Sequence, residues 1–141
     1  TKLKVIVALY PKANQAKYPK EFKKFKIVSN KIVELVKNCK IVLHHGSTAQ
    51  SYAAIFKKPI IYLTSDFIEK YKYVRDNAQR IEFLGQKELN IDNYDKNFLI
   101  KKKLFSYDEK LYKYYLNNYL KHSSSKNVPW YISFSKYFND K

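Results

Sequence analysis

The run from Lys40 to Ser65, KIVLHHGSTAQSYAAIFKKPIIYLTS, constrains the fold more than any other part of the chain. It opens on a β-branched apolar run, Ile41-Val42-Leu43, and closes on another, Ile60-Ile61-Tyr62-Leu63. Between them lie a small-residue turn, His44-His45-Gly46-Ser47-Thr48, and about ten residues of helical character whose Ala49, Ala53 and Ala54 allow close approach to a sheet. Strand, tight turn, helix and strand make a βαβ unit, and such a unit requires parallel pairing. The turn then sits at the carboxyl end of a strand, where unpaired N–H groups favour negative charge.

The flanking sequence extends the same alternation. Leu3 to Leu9 reads as a central strand stopped at Tyr10-Pro11-Lys12, and residues 13–19 as a loop. Phe25 to Val28 reads as a short strand. A helix capped by Asn30 follows to Asn38, with Ile32, Val33, Leu35 and Val36 inward. Ser65 or Asp66 caps the next helix, expected to run to Ala78 with Glu69 closing a capping box and Phe67, Ile68, Tyr71, Val74 and Ala78 in the core. Ile81 to Leu84 reads as a strand ended by Gly85, and residues 86–97 as a polar loop. Tyr107 to Lys121 reads as a helix with Leu111, Tyr115 and Tyr119 on one face, broken by Ser123-Ser124-Ser125, before an aromatic tail around Trp130 and Phe138. The expected fold class is α/β: a Rossmann-like parallel sheet with helices on both faces. Residues 1–105 form the sheet domain and residues 106–141 a C-terminal helical extension packed on it.

Composition narrows the chemistry. The formal net charge is +16, yet only two of the 28 basic residues, Arg75 and Arg80, are Arg. Base-edge recognition leans on the guanidinium fork, so this is a poor recipe for specific nucleic-acid readout. The charge reflects either a Lys-, Ile-, Asn- and Tyr-rich compositional bias or an anionic partner. The lone Cys39 reads as a buried, reduced thiol. No CxxC, HExxH or carboxylate group has metal-ligand spacing, so neither a metal nor a cofactor is expected. Neither a signal peptide nor an apolar membrane span is visible, and a cytoplasmic location follows as the expectation. Met is absent, and the chain opens directly on a strand-like run, which fits a piece of a longer protein.

The candidate ligand-binding residues are Tyr10, Pro11, Lys12, His44, His45, Gly46, Ser47, Thr48 and Ala49. Gly46 permits a left-handed backbone, and Ser47 and Thr48 offer hydroxyls and N–H groups to a phosphate. Ser47 is equally suited to a plain helix cap. His44 and His45, adjacent in a strand, point to opposite faces and form no metal pair; one belongs to the core and the other is free for a ligand.

HHGSTAQSYAAIFKKPIIYLTS resembles the C-terminal half of GT-B-type glycosyltransferases of bacterial surface polysaccharide synthesis. The shared signature is a strand, an H-x-S-T-A turn, a helix and a strand opened by K-P-I-I, here His44, Gly46, Ser47-Thr48-Ala49 and Lys58-Pro59-Ile60-Ile61. The early ALYPKAN resembles the H-P motif that sialyltransferase-like enzymes place beside the nucleotide, although Tyr10 replaces the His. Tyr52 occupies the position where many relatives carry a ribose-binding Glu.

The resemblance implies one half of a GT-B fold that binds a CMP- or UDP-linked sugar. Its acceptor would be a glycan or lipid-linked molecule, and its partner its own N-terminal domain, which carries the catalytic base. The lysine-rich face further suits peripheral association with an anionic membrane surface on the cytoplasmic side, where lipid-linked acceptors lie. Two other classes fit parts of the sequence. A polyanion-binding module for RNA or charged glycan would use the interleaved Lys and Tyr of Lys110 to Lys121. A sugar-nucleotide 2-epimerase-like domain would need acidic residues near the turn, and none lies between Glu34 and Asp66.

Overall fold

The computed structural model describes residues 3–10, 20–70, 83–94 and 102–120. Its core is threaded by the strand that Lys58-Pro59 introduces. Ile60–Thr64 (β4) carries an apolar run buried along nearly its whole length, as a strand covered on both faces should be. It pairs in parallel with Val42–His44 (β3) on one side and Lys87–Asn90 (β5) on the other. A second parallel pair joins Ile6–Leu9 (β1) to Lys26–Ser29 (β2). The chain is therefore α/β with parallel strands. The single expected sheet arrives as two, ordered β1-β2 and β3-β4-β5. The run read as a central strand is a four-residue strand with one partner among the described residues, and only its Leu9 is buried.

The helices fill the connections. Ile32–Asn38 (α1) links β2 to β3, and Ala49–Ile55 (α2) is the crossover from β3 to β4. Asp66–Glu69 (α3) follows β4, and Glu109–Tyr115 (α4) continues into a π-helical turn, Leu116–Leu120. Val36, Val42, Ala53, Ala54, Ile60, Leu84, Tyr112 and Tyr115 form one buried cluster, so α1, α2, β3, β4 and α4 share a core. Ala53 and Ala54 have no exposed surface, consistent with the close helix approach that their size permits. Crossover α2 ends in a left-handed Lys57 (φ +53°). The N–H groups of Lys57 and Lys58 return to the carbonyls of Ala54 and Ala53, the paired closure of a Schellman motif.

Several local expectations are corrected. Asn30 does not cap α1: it sits in the left-handed region (φ +60°), which asparagine tolerates, and Lys31 stands at the cap without a side-chain bond. Val33 and Phe67 are exposed, because short helices α1 and α3 turn them away from the core. Ser65 does cap α3, its Oγ accepting from Ile68 N–H at 3.2 Å. The Glu69 carboxylate accepts from the Asn90 amide (3.3 Å), and no capping-box bond back to Ser65 is formed. On α4, Tyr115 of the residues spaced by four is buried and Leu111 half-buried, whereas Tyr119 is exposed and Tyr112 takes its place in the core. Residues 71–82 and 121–141, including the aromatic tail, lie outside the described residues.

Of the strand expected at Ile81 to Leu84, Ile81 and Glu82 lie outside the described residues, and the described half is not a strand. Phe83 is helical, Leu84 and Gly85 form a turn, and β5 begins at Lys87 within the expected loop. Gly85 is the hinge of that change. Its φ is +56°, and a Cβ there would lie 2.8 Å from Leu111 Cδ1 on α4. Gly85→Ala should therefore lower stability by about 1–3 kcal/mol, combining left-handed strain with a displaced Leu111 side chain. Urea unfolding at neutral pH reads this directly, and an unchanged midpoint would show that the turn has room to relax.

Candidate functional site

Parallel pairing sends the carboxyl ends of β3, β4 and β5 to one edge of the sheet, and two polar arrangements lie there. The first is the turn between β3 and α2. His44 ends β3 on the same side as Val42 and is 7% exposed. Its Nδ1 accepts the Ser47 N–H at 3.2 Å, and because a backbone amide can only donate, the ring proton resides on Nε2. Nε2–H then donates to Gln86 Oε1 at 2.8 Å, and Gln86 Nε2 donates to Gln50 Oε1 at 3.3 Å. The Tyr62 ring meets the imidazole edge-on at 5.6 Å. Burial, above all, pushes the His44 pKa below its usual 6.5, opposed by the Gln86 bond and aided slightly by His45. His44 is thus the neutral core histidine of the pair, and it holds the turn from beneath.

Above it the backbone is shaped by Gly46 at φ +70°. Ser47 Oγ accepts the Ala49 N–H at 3.2 Å, so Ser47 serves as a local cap, and its hydroxyl proton remains available to donate. Thr48 occupies the N-cap position in helical geometry without using its side chain. Among the described residues, neither the Gly46 nor the Thr48 N–H has a hydrogen-bond partner. His45, Gly46, Ser47 and Thr48 are all exposed, whereas Ala49 is buried and belongs to the helix packing. With seven residues, α2 has only a modest dipole at this turn.

Of the remaining candidates, Tyr10 directly follows β1 and is 68% exposed. Pro11 and Lys12 lie outside the described residues.

The second arrangement was not legible in the sequence. Asp66 N–H donates to Asp92 Oδ2 (2.9 Å), and the Asn90 amide donates to Asp66 Oδ1 (2.8 Å). The Asn93 amide donates to both Asp66 oxygens (3.3 Å each). These bonds tie the exit of β5 to the first turn of α3. They pair carboxylates with amides, and among the described residues no group of three or more His, Cys, Asp or Glu is placed to hold a metal ion. No described helix is long and apolar enough to cross a membrane.

Comparison with protein-family models, curated proteins and solved structures finds no match to this chain.

Proposed function

We propose that this chain is the donor-binding half of a GT-B-type glycosyltransferase and takes a nucleotide-linked sugar in surface polysaccharide synthesis. The observation that carries the reading is the β3–turn–α2–β4 unit. Its left-handed Gly46 and its Ser47 N–H, anchored on His44, leave the Gly46 and Thr48 N–H groups and the Thr48 hydroxyl facing outward at the carboxyl edge of a parallel sheet. Open α/β sheets bind phosphorylated ligands at that edge. The Lys58-Pro59-Ile60-Ile61 motif opens the central strand of the three, as the resemblance requires. In this reading the turn donors stabilise negative charge growing on the leaving phosphate, and no metal is called on. The catalytic base and acceptor site belong to an N-terminal partner domain, and the lysine-rich surface holds the enzyme at an anionic membrane bearing lipid-linked acceptors.

A thermal-shift screen of CMP, CDP, UDP, GDP and their sugars tests the reading. One nucleotide should raise the melting temperature, since binding at a hundredfold excess over Kd contributes about 2.7 kcal/mol. Thr48→Glu should retain the fold, because a carboxylate at a helix start is favourable, yet lose the nucleotide shift through charge repulsion. An equal shift in both proteins would place the nucleotide elsewhere; no shift in either would sink the donor-site reading for this chain.

A further inference from the structure

The outer face of α4 carries a second set of observations, independent of the β3–α2 turn. Tyr114 and Tyr119 are each 52% exposed and Phe83 is 39% exposed, and the three rings touch in sequence. Phe83 lies 5.3 Å from Tyr119 between ring centroids, and Tyr119 lies 6.4 Å from Tyr114. Tyr119 is also stacked at 5.5 Å and 24° on Tyr115, a buried ring whose hydroxyl bonds Ser51 Oγ at 2.9 Å. The exposed rings therefore rest on the core. The π-helical turn Leu116–Leu120 is what lets residues five apart, Tyr114 and Tyr119, meet on one side.

Among the described residues, the charge beside Tyr114 is basic. Lys110 is one helical turn before Tyr114, Lys113 adjoins it, and both are exposed. The two carboxylates on the helix start are already engaged. Asp108 caps the Lys110 and Leu111 N–H groups, and Glu109 pairs with Lys57 at 2.8 Å.

From this juxtaposition we propose that Phe83, Tyr114 and Tyr119, with Lys110 and Lys113, form a stacking surface for a single-stranded polynucleotide. Aromatic faces hold successive bases irrespective of sequence, and lysines neutralise the phosphates between them. The chain's net charge of +16 favours the encounter. Among the described residues there is no arginine, hence no fork for reading base edges, so binding at this face is sequence-tolerant.

The test is fluorescence anisotropy of the full chain with labelled oligouridylate and oligocytidylate across a salt series. Both should bind. Tyr114→Ala/Tyr119→Ala should weaken binding by about tenfold or more, while Tyr114→Phe/Tyr119→Phe, which keeps the rings, should match the wild type. Lys110→Gln/Lys113→Gln should flatten the log–log salt slope by about 1.4, at about 0.7 per phosphate contact on a single strand. Equal affinity for duplex of the same sequence would overturn the proposal by reducing the effect to charge alone. Better competition by an acidic polysaccharide would reassign the face to a glycan. A large drop in melting temperature for the Ala pair with unchanged affinity would make the rings a packing surface instead.

Discussion

Tyr112→Ala is expected to remove about 3–5 kcal/mol of stability, the cost of emptying a buried aromatic site. For a domain of this size that is a large share of the whole. Tyr112 is 3% exposed in the cluster that joins α1, α2, β3, β4 and α4, and its ring stacks on Tyr107 at 5.0 Å. Its hydroxyl donates to the Lys58 carbonyl at 2.8 Å, directly before the Pro59 that leads into β4. Burial, and secondarily the neighbouring Tyr107, push the phenol pKa well above its usual value. The group is thus a neutral O–H donor at neutral pH. Tyr112→Phe separates the two contributions. It keeps the ring and orphans one carbonyl, for a cost of about 1–3 kcal/mol. Urea unfolding of the three proteins gives the order wild type, Phe, Ala. A loss under about 1 kcal/mol for Ala would mean that α4 rests on the core without belonging to it.

That helix also shows where sequence reading succeeds and where it stops. Its existence was legible from Leu111, Tyr115 and Tyr119 at helical spacing, and its amphipathic character from the interleaved Lys and Tyr. Which tyrosines face inward was not, because the stripe Leu111, Tyr115, Tyr119 and the stripe Tyr112, Tyr115 differ by one position in a run where every face is aromatic. The π turn then carries Tyr119 out. The βαβ unit was legible almost to the residue, since Pro59 and two β-branched runs leave little freedom in its register. β5 was hidden because Lys87-Glu88-Leu89-Asn90 has one apolar residue, and its strand character comes from pairing with β4. Gly85 was seen as a strand end when it is a strand beginning. That His44, Gly46, Ser47 and Thr48 share one turn between a strand and a helix was legible from their types and spacing. Gln50 and Gln86, which complete the support under the turn, were not. Their role depends on a contact between residues far apart in sequence, for which a glutamine in a polar stretch gives no signal.

His44→Ala should cost about 1–3 kcal/mol, because the buried ring loses its hydrogen bonds to the exposed Ser47 N–H and the half-buried Gln86 side chain together. The wild type should also reveal His44 by its response to acid. The folded-state pKa lies below the usual 6.5. Above that value the imidazole is neutral in folded and unfolded chains alike, and the full stability is present. As pH falls through 6.5 the unfolded chain gains a proton that the folded chain refuses, and stability declines by up to about 1.4 kcal/mol per pH unit until the folded pKa is reached. Unfolding free energies of wild type and His44→Ala, measured from neutral to mildly acidic pH, should therefore converge, since the variant lacks this group. The coupling reaches the candidate site. A proton on Nδ1 removes the acceptor that fixes Ser47, so the turn presenting the Gly46 and Thr48 N–H groups loses its anchor as the imidazole charges. Any nucleotide held at that turn should then release in the same acid range, with Thr48→Glu serving as the unliganded control. A constant difference between wild type and His44→Ala across pH would show that the ring accepts its proton without cost, and the support assigned to it beneath the turn would fall.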